Sequence, residues 1–449
     1  MSCNALNRGG FFLSIVIKGK SREVTTGLRK KQHSHDEEGL YTETELELKM
    51  LQKQLAQWVT NIREQVNLQA RLVLWDGQYF DLGQFNAPLV TVHVKETSAI
   101  PYLLTPSMDK LGEAYVKGKI DFEGQLTDII STGFDLAKGT VSHSNHLRRL
   151  SKYFTHTKQS DLQSIQFHYD LSNEFYQQWL DPNMVYSCAY FEHGYEDLET
   201  AQLKKIDHIL TKLQVKPGDS LLDIGCGWGA LVLRAAQKYG ATCVGITLAQ
   251  KQFELASERV KAAGLQDKVE IRLQDYRDVD GQFDKITSVG MFEHVGRRLL
   301  PKYFAHICDL LKDGGMVMNH GITSTDPNEA DTNYGGGEFL DKYVFPNGEL
   351  PHISLALHAM QEGGLEAIDV ENLRRHYART LNIWADNFEK NASVIKPLID
   401  TEHYRTWRLY LAGCAYAFQQ DQLAIYQIVG HKAGLHADSL NWSRRYMYQ

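Results

Sequence analysis

Leu221-Leu222-Asp223-Ile224-Gly225-Cys226-Gly227-Trp228-Gly229 decides how this chain folds. An apolar run ends in three alternating glycines, and a helix-compatible run, Ala230 to Tyr239, follows at once. The reading is strand, tight turn, helix. Glycine permits positive φ and a close approach of backbone to a ligand. Amides at a helix start suit a nucleotide-like group. The spacing is Gly-x-Gly-x-Gly, not the Gly-x-Gly-x-x-Gly of dinucleotide folds. Tight packing alone would also explain such a turn, so the following segments carry weight. Ala241 to Thr247 reads as a second strand and Lys251 to Ala263 as a helix. Lys268 to Leu273 reads as a third strand, ending at Gln274-Asp275-Tyr276, and Phe283 to Val289 as a fourth, ending at Gly290-Met291-Phe292-Glu293-His294. Alternating strands and helices predict a parallel sheet with ligands at the carboxyl ends of its strands.

The chain has 449 residues, 43% of them hydrophobic, which predicts one large domain with a smaller one. A net charge of −7 disfavours nucleic acid as a partner. Six scattered cysteines read as reduced thiols of a cytoplasmic protein. The chain lacks an apolar stretch long enough to span a bilayer, and Phe11 to Ile17 lacks a clear cleavage site for a signal peptide.

Residues 1–40 read as a flexible extension. A small N-terminal α+β domain is expected over 41–140. It opens with a helix from Glu43 to Gln69, with Leu48, Leu51, Leu55, Trp58, Val59 and Ile62 on one stripe. A hairpin with an Asp76-Gly77 turn and a strand from Pro88 to Lys95 follow. Residues 141–165 read as a basic linker helix carrying His143, His146, Arg148, Arg149, Lys152, His156 and Lys158. It is either a solvated surface or a surface that meets anionic lipid headgroups. The catalytic domain is expected over 166–435 and a tail over 436–449. Within the domain, Pro301 to Leu311 reads as a helix and Met316 to His320 as strand five. Residues 324–350 read as a loop able to form a lid. A late strand follows Gly363-Gly364, then a helix from Trp407 to Gln419 and a last strand from Leu423 to Val429.

Several segments together resemble the cyclopropane-fatty-acyl-phospholipid synthases, which depend on S-adenosylmethionine (SAM). They are Tyr-Ser-Cys-Ala-Tyr-Phe (186–191), the glycine turn (221–229), Gly-Ile-Thr-Leu-Ala-Gln-Lys-Gln (245–252), Met-Phe-Glu-His-Val-Gly (291–296), His320-Gly321-Ile322 and Arg374 to Leu381. The resemblance covers roughly residues 160 to 435, and Leu-Gly-Glu-Ala-Tyr-Val (111–116) extends it into the small domain. It implies a Rossmann-like, seven-stranded α/β methyltransferase sheet, mostly parallel with the last strand antiparallel. The implied reaction transfers the methyl of SAM to a cis double bond of an unsaturated phospholipid acyl chain, with a bound bicarbonate as base for ring closure.

Carried over by motif, the resemblance implies that Cys188, Glu293, His320, Ile322 (through its backbone) and Tyr377 hold the bicarbonate. An anion beside an ionised carboxylate is unfavourable, so Glu293 and the anion are expected to share a proton. For SAM, the amides of Gly225, Cys226, Gly227 and Gly229 are expected to face the methionine part, with Asp223 ordering the turn. Thr247, Leu248 and Gln252 are expected near the ribose, and Asp275 and Tyr276 at the adenine. Tyr186 and Ser187 would close over the cofactor. His168, Trp384 and Phe388 are candidates for the acyl path. Arg374, Arg375 and Arg379 are either phosphate contacts or ordinary surface charges. No metal is implied. Peripheral association with the inner face of the membrane follows from the substrate, and a homodimer is left open.

Other readings stay open. A relative could add a methyl or methylene branch without closing a ring. A methyltransferase for a small soluble nucleophile would not need the bicarbonate group. A lipid-binding protein without catalysis would need neither. Nucleic-acid methylation is disfavoured, because strand four ends in Gly-Met-Phe-Glu-His and not in an Asp-Pro-Pro-Tyr-type segment.

Overall fold

The computed structural model describes residues 43–138, 157–169, 171–327, 336–436 and 440–448. The chain divides into two compact units, residues 1–47 and 48–449. Of the first unit, only the opening turn of helix α1 (Glu43–Gln65) is described. Within the second unit, α1 buries Leu55, Trp58, Val59 and Ile62, the stripe expected from a period of 3.6 residues. That stripe covers a four-stranded sheet of order β2-β1-β3-β4. Its strands are β1 (Ala70–Val73), β2 (Tyr79–Asp81), β3 (Val90–Val94) and β4 (Ile120–Glu123). β1 and β2 form the expected hairpin, with Gly77 at φ 84° in its turn. β3 runs parallel to β1, and β4 antiparallel to β3. Helices α2 (Ile100–Leu104), α3 (Met108–Val116) and α4 (Leu126–Ala137) complete this part.

The large sheet has seven strands in the order β10-β11-β9-β8-β5-β6-β7. Before it come α5 (Lys158–Tyr169), α6 (Asn173–Gln177) and α7 (Leu198–Lys212). Then follow β5 (Ser220–Ile224), α8 (Ala230–Tyr239), β6 (Thr242–Thr247), α9 (Gln250–Ala262), β7 (Val269–Leu273), β8 (Phe283–Val289), α10 (Leu300–Leu310) and β9 (Leu311–Ser324). The chain ends with α11 (Gly337–Tyr343), α12 (Ile353–Glu362), β10 (Leu365–Asn372), α13 (Arg374–Lys390), α14 (Ala392–Ile395), α15 (Thr401–Gln419) and β11 (Leu423–Lys432). β5 to β9 pair in parallel, and β11 runs against both of its neighbours, β9 and β10. This is the expected methyltransferase sheet. β5 lies inside the sheet between β8 and β6, and four of its residues in a row, Leu221 to Ile224, are buried, as a strand covered on both faces requires. The strand order reverses beside β5, so a crevice opens past its carboxyl end.

Two stretches differ from the sequence reading. The expected lid, 324–350, contains α11, which docks on α3. Phe339 packs against Gly112, its amide donates to Asp109 Oδ1 at 2.7 Å, and Lys342 pairs with Glu113 at 2.8 Å. The expected C-terminal tail includes a 3-10 turn, Arg444–Tyr448, which buries Met447 and lays Tyr448 5.8 Å from His208 on α7. The basic stretch lies outside the described residues from 139 to 156, and only its end enters α5.

Two arginines of α15 tie the small sheet to the large one. Arg405 donates to Tyr115 O at 2.6 Å and stacks 4.7 Å from the Tyr115 ring. Arg408 donates to the Tyr115 hydroxyl at 2.9 Å and grips Glu389 with two bonds of 2.8 and 2.9 Å. A two-pronged arginine–carboxylate bond is among the stronger polar contacts available. Arg408→Met should lower stability by about 2 kcal/mol in urea denaturation, because it strands Glu389 and the Tyr115 hydroxyl together. An unchanged midpoint would show that apolar packing alone joins the two sheets.

Candidate active site

The glycine turn leaves β5 with Gly225, Gly227 and Gly229 at φ of 79°, 54° and 83°. Such angles are costly for any residue with a Cβ. The turn amides are aimed differently from the sequence expectation. Those of Gly225 and Cys226 both donate to Ile246 O, at 3.0 and 2.9 Å, and that of Gly229 donates to Cys226 O at 3.0 Å. These bonds fasten the turn to β6. The turn walls a cavity together with Tyr186, Ser187, Asp223, Thr247, Leu248, Gln252 and Tyr276, all expected at the cofactor. Thr247 donates to Gln252 Oε1 at 2.8 Å, so the two form one buried polar unit. Asp223 does not order the turn. It lies beneath it, accepts the Thr287 hydroxyl at 2.6 Å, and is pushed up to about 6 by burial. Gly229 and Asp275 are absent from the wall. Gly229 caps α8, and Asp275 is held below its usual range, against its burial, by two bonds to Arg277 of 2.8 and 2.7 Å.

Residues 185–191 run between helices with no strand partner, so each backbone amide needs a side chain or a turn. Asp181 Oδ1 accepts the Val185 amide at 2.8 Å. Gln202 on α7 donates to Val185 O at 3.1 Å and Ser187 O at 2.8 Å, and Lys205, one turn on, donates to Ser187 Oγ at 2.7 Å. From the other side, Thr380 Oγ1 on α13 accepts the Ala189 amide at 3.1 Å, and His376 Nδ1 accepts that of Phe191 at 3.0 Å. Met184, at φ 54°, turns the chain into this segment. The sequence analysis did not single out Gln202, Lys205, His376 or Thr380. Its available signal was a pair of polar residues three apart on the apolar face of α7.

The second group gathers behind Ser187. Glu293 sits in a 3-10 turn after β8, and its Oε1 accepts the Ile322 amide at 2.7 Å. A Cβ on Gly321 would stand 2.1 Å from the Phe292 ring, so only glycine lets this turn lie so close to β9. His320 and Ile322, two apart on β9, share one face of the sheet. Cys188 Sγ points to Leu373 O at 3.8 Å, and the Tyr377 amide donates to that same carbonyl at 3.0 Å. Cys188 and Glu293 both act electrostatically on Tyr377. Among the described residues, Glu293 Oε2 and both ring nitrogens of His320 are buried without a hydrogen-bond partner. Gln427, opposite His320 in the β9–β11 register, is fully buried and equally unpartnered.

Burial sets the protonation of this group. It pushes the Glu293 carboxyl up to about 7, against the pull of the Ile322 amide. It also pushes Cys188 and Tyr377 up and His320 well below the usual imidazole range. The result is a thiol, a phenol, a neutral imidazole and a carboxyl that keeps its proton up to neutrality. All four can donate a hydrogen bond, and the orphaned atoms suit a small oxyanion. Aromatic walls surround them. Tyr186 lies 5.4 Å from Trp179 and 5.3 Å from Trp384, and Tyr377 lies 6.0 Å from Trp384. Phe388 belongs to the same buried cluster. The His168 side chain lies outside the described residues. Arg374 caps α15 through Phe418 O at 2.8 Å, and Arg379 stacks 5.1 Å from Phe191.

A family profile described as mycolic acid cyclopropane synthetase matches residues 156–428, and a domain of unknown function matches residues 57–145. A probable fatty acid methyltransferase of Pseudomonas putida is 46% identical, across 86% of this chain and 98% of its own length. The cyclopropane-fatty-acyl-phospholipid synthase of Escherichia coli K12 is 40% identical, across 58% of this chain and 66% of its own length. The solved mycolic acid cyclopropane synthase CmaA1, complexed with SAH and CTAB, is 34% identical with a TM-score of 0.58, covering 60% of this chain and 98% of that one.

Because burial raises the Glu293 pKa from 4.5 to about 7, the folded chain holds this proton more tightly than the unfolded chain. The favourable contribution is complete below the unfolded value and is lost as pH rises through about 7. Glu293→Gln keeps an acceptor for the Ile322 amide and carries no charge. Its stability relative to the parent should therefore grow with pH, by roughly 3 kcal/mol between about pH 5 and about pH 8 in urea denaturation. A difference independent of pH would mean that Glu293 is not desolvated.

Proposed function

This chain belongs to the mycolic acid cyclopropane synthetase family of SAM-dependent methyltransferases, and we propose that it methylates a cis double bond of an unsaturated phospholipid acyl chain and closes a cyclopropane ring. The observation that carries this reading is a set of buried contacts: Glu293 accepts the Ile322 amide at 2.7 Å, Cys188 and the Tyr377 amide meet at Leu373 O, and Glu293 Oε2 and both His320 nitrogens have no hydrogen-bond partner among the described residues. An alkene is a weak nucleophile, so catalysis rests on holding it against the donor and excluding water. Bound SAM would supply an electrophilic methyl, and bound bicarbonate a base for the proton lost on ring closure.

The chain's own residues do the rest. The turn, Asp223, Thr247 and Gln252 hold the cofactor on the far side of Ser187. Trp179, Tyr186, Trp384 and Tyr377 present electron-rich faces to positive charge developing on the acyl chain, where water would otherwise add. Glu293, His320, Tyr377 and Cys188 would hold the anion by donating hydrogen bonds to it, and the Ile322 amide fixes the Glu293 carboxyl. Glu293, with its pKa near 7, can share its proton with the anion in either direction. Cys188 stays a thiol, as a chemistry without covalent enzyme intermediates requires. Because the substrate resides in a bilayer, the reading includes a peripheral approach to the membrane surface.

The relative in Pseudomonas putida, a probable fatty acid methyltransferase, favours a second reading: methyl transfer that leaves a methyl or methylene branch, of which the methylene form is the one that ends, like the ring, in loss of a proton. Both products lose a proton and use the same group. NMR separates them after incubation with SAM and vesicles of unsaturated phospholipid: ring protons support the first reading, vinylidene protons the second, and unchanged acyl chains neither. Glu293→Gln should lower turnover by about a hundredfold or more while SAM affinity stays within about threefold. Depletion of bicarbonate should slow the parent enzyme and be reversed by adding it back. Indifference to bicarbonate would remove the anion from the reading.

A further inference from the structure

Helix α7 carries two buried lysines seven residues apart, and they are treated very differently. Lys212 is fully buried and paired with Asp369 at 2.9 Å and Glu371 at 2.5 Å. Lys205 is 2% exposed, and among the described residues its ammonium has one hydrogen bond, to Ser187 Oγ, and no ion pair. The buried carboxylates of Asp181 and Asp223 act on it from a distance without pairing, and a buried ammonium without a direct partner is costly. Lys205 lines the glycine-turn cavity, and Ser187 and Asp223 share that wall. Burial lowers the Lys205 pKa only to about 8, so the side chain is largely cationic at neutrality.

We propose that Lys205 binds the carboxylate of the methionine end of SAM, with Ser187 beside it and Asp223 facing the ammonium. The inference rests on the SAM-dependent reading of this cavity. SAM carries two positive groups and one negative group, so a cation in its site has one favourable partner. A buried lysine and a buried aspartate on one wall match a zwitterion, whose two charges would otherwise be desolvated without compensation. The same pairing accounts for Asp223, which burial holds at about 6 and an adjacent ammonium would draw down. Lys205 is thus a cofactor-binding residue whose second bond fixes the hydroxyl next to Cys188.

Calorimetric titration of the full chain with SAM, SAH and decarboxylated SAM tests this without turnover. The parent should bind SAM about tenfold or more tighter than decarboxylated SAM, which differs only by the carboxylate. Lys205→Met should weaken SAM and SAH by a similar factor and leave decarboxylated SAM within about threefold, so that the preference disappears. Equal losses for all three ligands would make Lys205 a support for the segment at 185–191 and overturn the proposal. Unchanged SAM affinity with an altered bicarbonate response would assign the lysine to the other group and overturn it as well. A parent without preference for the carboxylate overturns it even if Lys205→Met fails to fold. A parent that binds none of the ligands overturns the cofactor reading itself.

Discussion

An extended segment buried between two helices must find a partner for each of its backbone groups, and the functional half of this molecule is built around that demand. Residues 185–191 have no ladder to join. Asp181 and Gln202 satisfy one end, and Thr380 and His376 the other. An unpaired buried amide costs about 1–3 kcal/mol, so these few side chains decide whether the segment can be buried. They come from distant parts of the chain. Gln202 precedes β5, while His376 and Thr380 come more than a hundred residues after it. Only the completed sheet, with β10 and α13 in place, can therefore hold Tyr186, Ser187 and Cys188 where they are.

The same burial sets the chemistry. Four titratable groups share an apolar environment, and each takes its uncharged form: carboxyl, imidazole, phenol and thiol. Such an arrangement destabilises the fold, since Glu293 Oε2, both His320 nitrogens and the Gln427 amide lack hydrogen-bond partners among the described residues. The surrounding aromatic cluster offsets the cost. Trp179, Trp384, Phe388 and Tyr176 are almost wholly buried, and each contributes a large apolar area. Stability and function are set against each other at Glu293, where removing the charge favours the fold and removes the proton the reaction uses.

What could be read from the sequence was local, and what could not was held by distant contacts. The strand–turn–helix at 221–239 is punctuated by glycine, and the strands from β5 to β9 carry runs of apolar residues, so their types were legible. The motifs around Glu293 and His320 were legible through resemblance, and the sheet brings them together. The aim of the turn amides was not, because it depends on Ile246 of the next strand. Asp275 looks like a free acid after a strand until Arg277 folds back onto it. Arg374 looks like a surface cation until the end of α15 arrives beneath it. Helix α7 went unread: its apolar stripe includes Gln202, Lys205, His208 and Lys212, which blur a period of 3.6 residues.

Those blurred positions decide which side chain of the buried segment faces the cavity. Ser187 lines the cavity that Lys205 and Asp223 share, whereas Cys188 is buried in the aromatic cluster with Tyr377 and Trp384. In an extended chain, neighbouring side chains point to opposite sides, so a slip of one residue would place the hydroxyl in the dry pocket and the thiol against the lysine. Backbone bonds alone would not prevent such a slip, since every residue offers the same amide and carbonyl. Lys205 reads the side chain at 187, and Gln202 reads the carbonyl of that residue. Two polar residues one turn apart on a buried helix face thus fix the register of the segment that carries Tyr186, Ser187 and Cys188.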